Sequence, residues 1–240
     1  MLPLIFVLLS AMDGKVIMTN LTCFKAYDVR GELGVNFDAS IAYRIGRAVA
    51  RHFKAEKIVV GRDARESSPV LVEALSRGIM DEGAQVLDLG LAGTEEMYWA
   101  VTHFGACAGV EVTASHNPIN YNGLKIVKSG SRPLDDLEDF QMIKRFAEDD
   151  VWLNVPSVGA VEDISTEARA AYVDRVLSFV DVANLRPLKI VVNNGNGAAG
   201  PTFDAIAERL SEMGAPTQFI RVHHEVDHSF PNGIPNPLLP

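Results

Sequence analysis

The chain has 240 residues and a mass of 26.1 kDa, enough for one large domain or two modest ones. Its 48% hydrophobic and 22% charged residues are typical of a globular protein and exclude a fibrous or a disordered one. The formal net charge of −9 repels nucleic acid and anionic membranes, so we expect neither as a partner, and an anionic ligand requires a local basic pocket.

The two cysteines and the amino-terminal segment bear on location. Cys23 and Cys107 are too few for a disulfide framework, which favours a reducing compartment. They form no C-x-x-C pair, so we expect no structural zinc site in the protein. We therefore expect the cytoplasm. The apolar run at 2–11 is shorter than the roughly 20 residues of a membrane span and lacks the basic start of a secretory signal. We interpret residues 1–20 as an extension outside the domains, with Met18 as the expected native start.

From residue 21 onward, helical and strand periodicities alternate, which indicates mixed α/β layers with mostly parallel sheets. The first elements predicted are, in order, a helix with apolar positions Ile41, Ile45, Ala48, Val49 and Phe53, a strand at 57–61, a helix with Val72, Leu75 and Ile79, a strand at 85–89, a helix ending near Gly105, and a strand at 108–113. A strand at 124–127 and a helix marked by Leu137, Phe140, Ile143 and Phe146 follow.

Capping residues predict where two of these helices begin and end. Ser68 followed by Pro69 is typical of an N-cap and a first helical position, and Gly83 fits the C-cap of the same helix. Thr94 is expected to open the next helix, with acidic residues placed favourably in its first turn.

A second α/β unit is predicted to begin near residue 155, where VPSVGAVED lacks helical periodicity. Its predicted elements are a helix with Tyr172, Val173, Val176, Leu177 and Val180, a buried strand at 188–192, a glycine loop at 195–200, a helix at 203–213 and a strand at 218–222. We therefore predict a first domain at 21–155 and a second at 156–240.

The densest cluster of reactive side chains is TASHNP at residues 113–118, directly after a predicted strand. Loops at the carboxyl ends of strands are where open α/β sheets bind ligands. Ser115 has His116 beside it, and the following proline holds Asn117 extended. In isolation the tetrapeptide SHNP at 115–118 is more often an ordinary turn, and the lack of G-x-S-x-G disfavours a serine hydrolase.

Four segments, taken together and in this order along the chain, point to one protein family. They are FKAYDVRG at 24–31, GRDARESSP at 61–69, TASHNPINYNGLKI at 113–126 and GNGAAG at 195–200. In this combination the chain resembles the α-D-phosphohexomutases, most closely the bacterial phosphomannomutases, which GTEEMYWA at 93–100 and the terminal FPNGIPNPLLP also resemble. The resemblance covers nearly all of residues 20–240 and implies the first domain and an incomplete second domain of the phosphohexomutase fold.

The resemblance implies that mannose 6-phosphate and mannose 1-phosphate are interconverted through a phosphoserine and a bisphosphohexose, with hexose 1,6-bisphosphate as activator. Ser115 would carry the phosphoryl group. Lys125 would act as general acid and base at the serine hydroxyl, because a serine alkoxide is otherwise inaccessible at neutral pH. His116 would join them as a catalytic residue. Without the motif, Lys125 would be interpreted as a solvated strand lysine.

Other side chains are expected to surround this serine. The resemblance implies that Tyr27, Arg30 and Asn117 bind the sugar phosphate. Without it, Tyr27 would be assigned to packing and Arg30 to the surface. The alternating charges of RDAR at 62–65 favour a local salt-bridge network, which we expect to support the serine loop rather than take part in the chemistry.

Two phosphate dianions cannot approach without compensating charge. Phosphoserine carries about −1.5 to −2 charges, and two unit charges ~4 Å apart repel by about 4 kcal/mol at an effective dielectric constant of about 20. The resemblance therefore implies Mg²⁺, held in part through the phosphate on Ser115. The family's aspartate loop, D-G-D-x-D-R, does not occur in the 240 residues, so we expect an amino-terminal portion that is nearly inactive alone.

Three alternatives stay open at this point. A phosphoglucomutase of the same family would share these motifs. Gly195, Gly197 and Gly200 satisfy G-x-G-x-x-G between a strand and a helix, which could indicate a dinucleotide-binding oxidoreductase domain with Glu225 on the ribose. The third is a non-catalytic phosphosugar-binding fragment.

Overall fold

A computed structural model describes residues 20–152 and 158–236. Nearly all of the predicted amino-terminal extension, and the predicted domain boundary at 155, lie outside these residues. Within the described residues, no helix is both long enough and apolar enough to cross a membrane.

Helices and strands alternate along most of the chain. The elements up to residue 149 are β1 (Val29–Glu32), α1 (Ala39–Phe53), β2 (Lys57–Arg62), α2 (Ser68–Asp81), β3 (Gln85–Leu91), α3 (Thr94–His103), β4 (Ala108–Val112), β5 (Tyr121–Lys128), β6 (Arg132–Pro133) and α4 (Gln141–Asp149). The later elements are β7 (Val161–Asp163), α5 (Ser165–Leu177), β8 (Lys189–Asn193), α6 (Ala199–Glu212) and β9 (Gln218–Val222).

Seven strands of the described chain form one mixed sheet in the order β1-β5-β4-β2-β3-β7, with β6 on the side of β5. Strands β4, β2, β3 and β7 pair in parallel, whereas β5 is antiparallel to its neighbours. Strands β8 and β9 form a separate parallel pair. The predicted α/β class with mostly parallel sheets is confirmed.

The large sheet is covered on both faces, as parallel sheets usually are. In β2, Ile58 and Val60 pack with residues of α1, α2 and α4, whereas Val59 between them packs with residues of α3. This alternation is the two-residue period of a strand. We call the side that carries Val59 the α3 face.

Three strands were not predicted, because their sequences lack apolar alternation. These are β1, the two-residue β6, and β7, whose three residues are exposed. Strand β5 also begins three residues earlier than predicted, at Tyr121. It can do so because antiparallel pairing with both neighbours satisfies its backbone groups in a segment that contains asparagine and glycine.

The predicted helix starts were wrong by one residue. Ser67 is the N-cap of α2, and Ser68 lies inside the helix, where its hydroxyl donates to Asp63 at 2.6 Å. Gly93 is the N-cap of α3, and the side chain of Glu96 accepts from its backbone N–H at 3.1 Å. Ser68 does not cap α2 because its hydroxyl is bonded to Asp63. At α3 the third helical residue, Glu96, bonds to the backbone of Gly93, so the helix begins one residue before the predicted cap.

Leu137 was predicted on the buried face of a helix, but it is 78% exposed. The chain passes through a single π-helical turn, Asp136–Phe140, before α4 begins. Such a turn adds a residue to the helical period and rotates Leu137 away from Phe140 and Ile143, which are buried as predicted.

The strand at 188–192 was predicted to be buried, but residues of β8 are alternately exposed and half-buried. Val191 is 64% exposed, on a face that no described element covers. β7 adds to the first sheet although it lies beyond the predicted boundary, and Ile164 packs on the α3 face. We therefore propose that the first domain extends past residue 155 to the start of α5.

Helices α1 and α2 cross closely enough to exclude a side chain at two positions. A Cβ atom on Gly46 would lie 2.2 Å from the carbonyl oxygen of Leu75, and one on Gly78 would lie 2.1 Å from that of Tyr43. Because both obstacles are backbone atoms, a substitution must push the helices apart.

We expect Gly78→Ala to lower the free energy of unfolding by about 1 to 3 kcal/mol, the usual range for overpacking. Urea unfolding followed by circular dichroism measures it. Gly197→Ala is the matched control, because its Cβ would lie 3.5 Å from the nearest atom, the carbonyl oxygen of Asn194. Equal unfolding midpoints for the two variants would contradict the close crossing.

Candidate functional site

The serine loop, residues 113–118, follows β4 at the carboxyl edge that this strand shares with the parallel strand β2. Ser115 is exposed and has a left-handed backbone, with φ of 53°. For a residue other than glycine this conformation costs roughly 1 to 2 kcal/mol, and such strain concentrates at functional sites. The turn presents the hydroxyl to solvent.

Short contacts within the loop hold this conformation. The backbone N–H of Ser115 donates to the Thr113 hydroxyl at 3.0 Å, and both the backbone and the side-chain N–H groups of Asn117 donate to the Ala114 carbonyl. His116 Nδ1 lies 3.4 Å from Ser115 Oγ, which is long for a hydrogen bond. The imidazole is therefore beside the hydroxyl without being firmly bonded to it.

A buried arginine, Arg65, holds the loop by hydrogen bonds to its backbone. The Arg65 guanidinium, on a residue only 2% exposed, donates to four backbone carbonyls. The acceptors, at 2.7 to 3.1 Å, are the oxygens of Ser115, Asn117, Pro118 and Tyr121. The prediction that the RDAR segment supports the serine loop is confirmed for Arg65.

Arg65 is fixed in turn by a polar network. Asp63 forms an ion pair with its Nε at 3.3 Å and accepts from its backbone N–H at 3.0 Å. The same carboxylate accepts from Ser68, and the buried Asn122 donates to the Ser68 hydroxyl at 3.0 Å. The Arg62 side chain contributes little, because its one hydrogen bond among the described residues, to the Asp63 carbonyl, is 3.4 Å long.

Arg30 approaches the loop from the opposite side. Its guanidinium is buried, donates to the Thr113 carbonyl at 2.6 Å and forms a 3.0 Å ion pair with Asp28. Burial lowers its pKa, and the charge of Asp28 opposes that effect. The alternative assignment of Arg30 to the surface was wrong; its predicted contact with the sugar phosphate stays a prediction.

Tyr27 and Lys125 line one cavity of about 320 Å³ on the α3 face of the sheet. Its polar lining includes Asp28 and Tyr98. The ring of Tyr27 is 77% exposed, so the alternative of a packing role was wrong. The fold thus brings together residues that are almost a hundred positions apart in the sequence.

Glu111 was missed by the sequence analysis. Its carboxylate is 1% exposed, and neither oxygen has a hydrogen-bond partner among the described residues. It lies in β4 between Gly61 and Lys125 in the register, and a Cβ on Gly61 would sit 2.3 Å from Oε2. Burial first, then the charge of Asp63, raises its pKa well above the ordinary value, which favours the protonated, neutral carboxyl. A lone glutamate in an apolar strand was the available signal.

The described residues do not fit a protein-bound Mg²⁺. No group of three or more histidine, cysteine or acidic side chains among them could hold a metal ion. His224, part of the histidine-rich segment after β9, is instead bonded to Asn194 and Asp204. A phosphate on Ser115 would supply one ligand, and the described residues supply no set of carboxylates to complete the site.

Comparison with known proteins identifies the family. The family model described as phosphoglucomutase/phosphomannomutase, alpha/beta/alpha domain I, matches residues 21–151, and that of domain II matches residues 170–240. The chain belongs to the phosphoglucomutase/phosphomannomutase family. This confirms the resemblance, and because the domain II match contains the glycine loop, the family accounts for the G-x-G-x-x-G pattern.

Several proteins that are similar to this chain are named phosphomannomutases. The chain is 51% identical over 225 residues to one from Salmonella montevideo and 52% over 226 residues to one from Escherichia coli, covering 93% of this chain and 49% of each relative. A protein named phosphohexose mutases from Xanthomonas campestris pv. campestris is 46% identical over 221 residues, with 92% and 48% covered. The chain therefore spans about half the length of these relatives.

Solved structures agree with the assignment. A phosphoglucomutase/phosphomannomutase family protein from Burkholderia thailandensis has a TM-score of 0.76 at 32% identity, covering 90% of this chain and 46% of that one. A protein from Thermus thermophilus, at 22% identity and a TM-score of 0.76 over 92% and 50% of the chains, shows the fold alone.

We expect Arg65→Met to lower the free energy of unfolding by about 3 kcal/mol, because it leaves four part-buried carbonyls without this donor and Asp63 without its ion-pair partner. Urea unfolding monitored by tryptophan fluorescence measures the loss. Hydrogen exchange should show faster exchange in the serine loop. Arg62→Met is the control and should cost under about 1 kcal/mol; equal losses would refute the supporting role of Arg65.

We expect Glu111→Gln to stabilise the protein increasingly as the pH rises above about 5. With its raised pKa, the folded carboxyl keeps a proton that the unfolded chain releases above 4.5, so wild-type stability falls with pH until the folded pKa is reached. The gap should approach tenfold in the unfolding equilibrium constant per pH unit, the slope for one proton. Urea titrations at several pH values test this.

The control for that series is Glu56→Gln, which changes an exposed glutamate just before β2. Its stability should run parallel to that of the wild type. A constant gap between Glu111→Gln and wild type across the pH range would show that Glu111 is ionised in the folded protein.

Proposed function

We propose that the chain carries the phosphoserine half of a phosphomannomutase-type enzyme, which interconverts mannose 6-phosphate and mannose 1-phosphate through a bisphosphohexose. The observation that carries this proposal is the exposed Ser115 hydroxyl, on a left-handed turn whose backbone is fixed by two buried guanidinium groups. Positioning supplies most of what phosphoryl transfer requires from a protein.

Ser115 is the proposed phosphate carrier. In the forward step, the bond between its Oγ and phosphorus breaks as a bond forms from phosphorus to a sugar hydroxyl oxygen. Oγ then needs a proton, and the sugar hydroxyl loses one. The second half reaction returns the other phosphate of the bisphosphohexose to Oγ, which restores the phosphoserine.

Lys125 is proposed as the acid and base at Oγ. Its place in β5, in the cavity that also contains Tyr27, supports this role. The cavity is lined on one side by apolar groups of β5 and of the segment before α4, which suit the carbon face of a sugar ring. Tyr27, exposed at the same cavity, is proposed to contact the substrate.

The remaining proposed site residues belong to the loop and its support. His116, exposed beside Oγ, would contact the transferred phosphate. Asn117 and Arg30 are proposed to contact the sugar phosphate, although both already bond to backbone carbonyls of the loop. Substrate contact would therefore add to their structural bonds, for which a guanidinium has spare donors.

The substrate class follows from the relatives' names. We propose a phosphorylated hexose as partner, mannose phosphate before glucose phosphate because the similar proteins include phosphomannomutases. Mg²⁺ and a hexose 1,6-bisphosphate activator belong to the same proposal. We also propose the cytoplasm as its location, in keeping with the two unpaired cysteines.

We expect Ser115 to take up phosphate from mannose 1,6-bisphosphate, with glucose 1,6-bisphosphate as a slower donor. Mass spectrometry of the intact chain and of its peptides locates the label, in the presence and absence of Mg²⁺. Ser115→Ala should abolish labelling, and Lys125→Met should slow it by about 10² to 10⁴. Ser129→Ala, at an exposed serine, should label like wild type. A label on another residue would refute the proposal.

A further inference from the structure

The segment GTEEMYWA, residues 93–100, has no role in the proposed chemistry so far. It forms the N-cap and first turns of α3, which packs over Gly109 of β4: a Cβ there would meet Val101 and Met97 at 2.3 and 2.5 Å. The helix therefore lies directly on the sheet, across the face that carries Glu111 and Lys125. Its residues are candidates to complete the cavity beside Lys125.

Tyr98 is the residue of this segment that reaches the cavity, which Lys125 also lines. Its backbone carbonyl accepts from the Ser131 hydroxyl. Its own hydroxyl has no hydrogen-bond partner among the described residues, although the side chain is half-buried. Buried tyrosine hydroxyls usually have a partner, and because this one faces a cavity without a protein partner, it is available to donate to a ligand there.

Burial and nearby charges keep the hydroxyl of Tyr98 protonated. Burial is the largest cause that raises its pKa, and Arg30 acts in the opposite direction; Glu111, whose own raised pKa favours the uncharged form, contributes little charge. The remaining groups that act on it also raise its pKa: they are Asp28, paired with Arg30, and Glu95, on α3. At neutral pH the phenol is therefore a hydrogen-bond donor in a cavity that a lysine also lines, a combination that suits a phosphate oxygen or a sugar hydroxyl.

We propose that Tyr98 is a further substrate-positioning residue, whose hydroxyl donates a hydrogen bond to the phosphosugar in the cavity beside Lys125. This inference rests on the proposed function and deepens it. The cavity, at about 320 Å³, is at the lower end of the range for small-molecule sites and is continuous with the exposed Tyr27. One neutral donor there would fix the orientation of the substrate without adding charge.

The test compares Tyr98→Phe with Tyr172→Phe. Tyr172 is also half-buried and also has a raised pKa caused mainly by burial, but it lies on α5 against Trp99, outside this cavity. Both changes remove one hydroxyl and keep the ring, and circular dichroism checks that both variants fold. The first readout is Ser115 labelling as a function of mannose 1,6-bisphosphate concentration. The second is calorimetric binding of mannose 1-phosphate, inorganic phosphate and mannose.

Tyr98→Phe should raise the half-saturating bisphosphate concentration about five- to tenfold, the effect of one hydrogen bond, and leave the labelling rate at saturation unchanged. Tyr172→Phe should match wild type in both quantities. A loss of affinity for inorganic phosphate as well as mannose 1-phosphate would assign the bond to the phosphate. A loss for mannose 1-phosphate and mannose alone would assign it to the sugar. Either pattern supports the inference.

The failures can be told apart. Normal labelling of Tyr98→Phe with unchanged saturation would overturn the inference and leave the proposed function intact, as would equal weakening by both variants, which indicates a packing effect. A wild-type chain that binds mannose 1-phosphate through Tyr98 but never labels Ser115 would overturn the function and keep the binding role. A wild-type chain that does neither would overturn both.

Discussion

One guanidinium group determines the geometry of the candidate site. Arg65 gathers the backbone carbonyls of the serine loop towards the protein interior, and Arg30 holds the start of the same loop from the other side. These hydrogen bonds hold the loop carbonyls towards the interior. Together they outweigh the modest free-energy cost of the left-handed backbone at Ser115. The hydroxyl is thus presented by a rigid turn on a rigid strand, the arrangement that phosphoryl transfer favours.

A second buried polar group near the site is the carboxyl of Glu111. Glu111 lies without a hydrogen-bond partner among the described residues, next to a glycine that leaves it room. Burying a polar group without a partner is destabilising, and residues that break such local rules concentrate at functional sites. Here the carboxyl lies opposite Lys125 in the sheet register, and its raised pKa favours the neutral form, so the sheet supports the cavity as well as the loop.

The second unit differs from the first in how completely its sheet is covered. Strands β8 and β9 leave apolar side chains such as Val191 exposed, whereas both faces of the large sheet carry packed helices. The two units are joined by polar contacts near the start of α3: Glu96 accepts from Thr202 at 2.7 Å, and Arg169 donates to the Leu91 carbonyl at 2.7 Å. The helix that borders the proposed cavity therefore also contacts the second unit.

The sequence by itself determined the alternation of helices and strands, the fold class and the motifs that identify the family, because apolar periodicity and fixed motif order are local properties. It also predicted that the RDAR segment supports the serine loop, since clustered opposite charges tend to pair. Only the tertiary structure decided that Arg30 is buried, that β7 joins the first sheet, and that Tyr98 and Glu111 lie beside Lys125. These outcomes depend on strand register and on contacts between residues far apart in the chain, which no local pattern encodes.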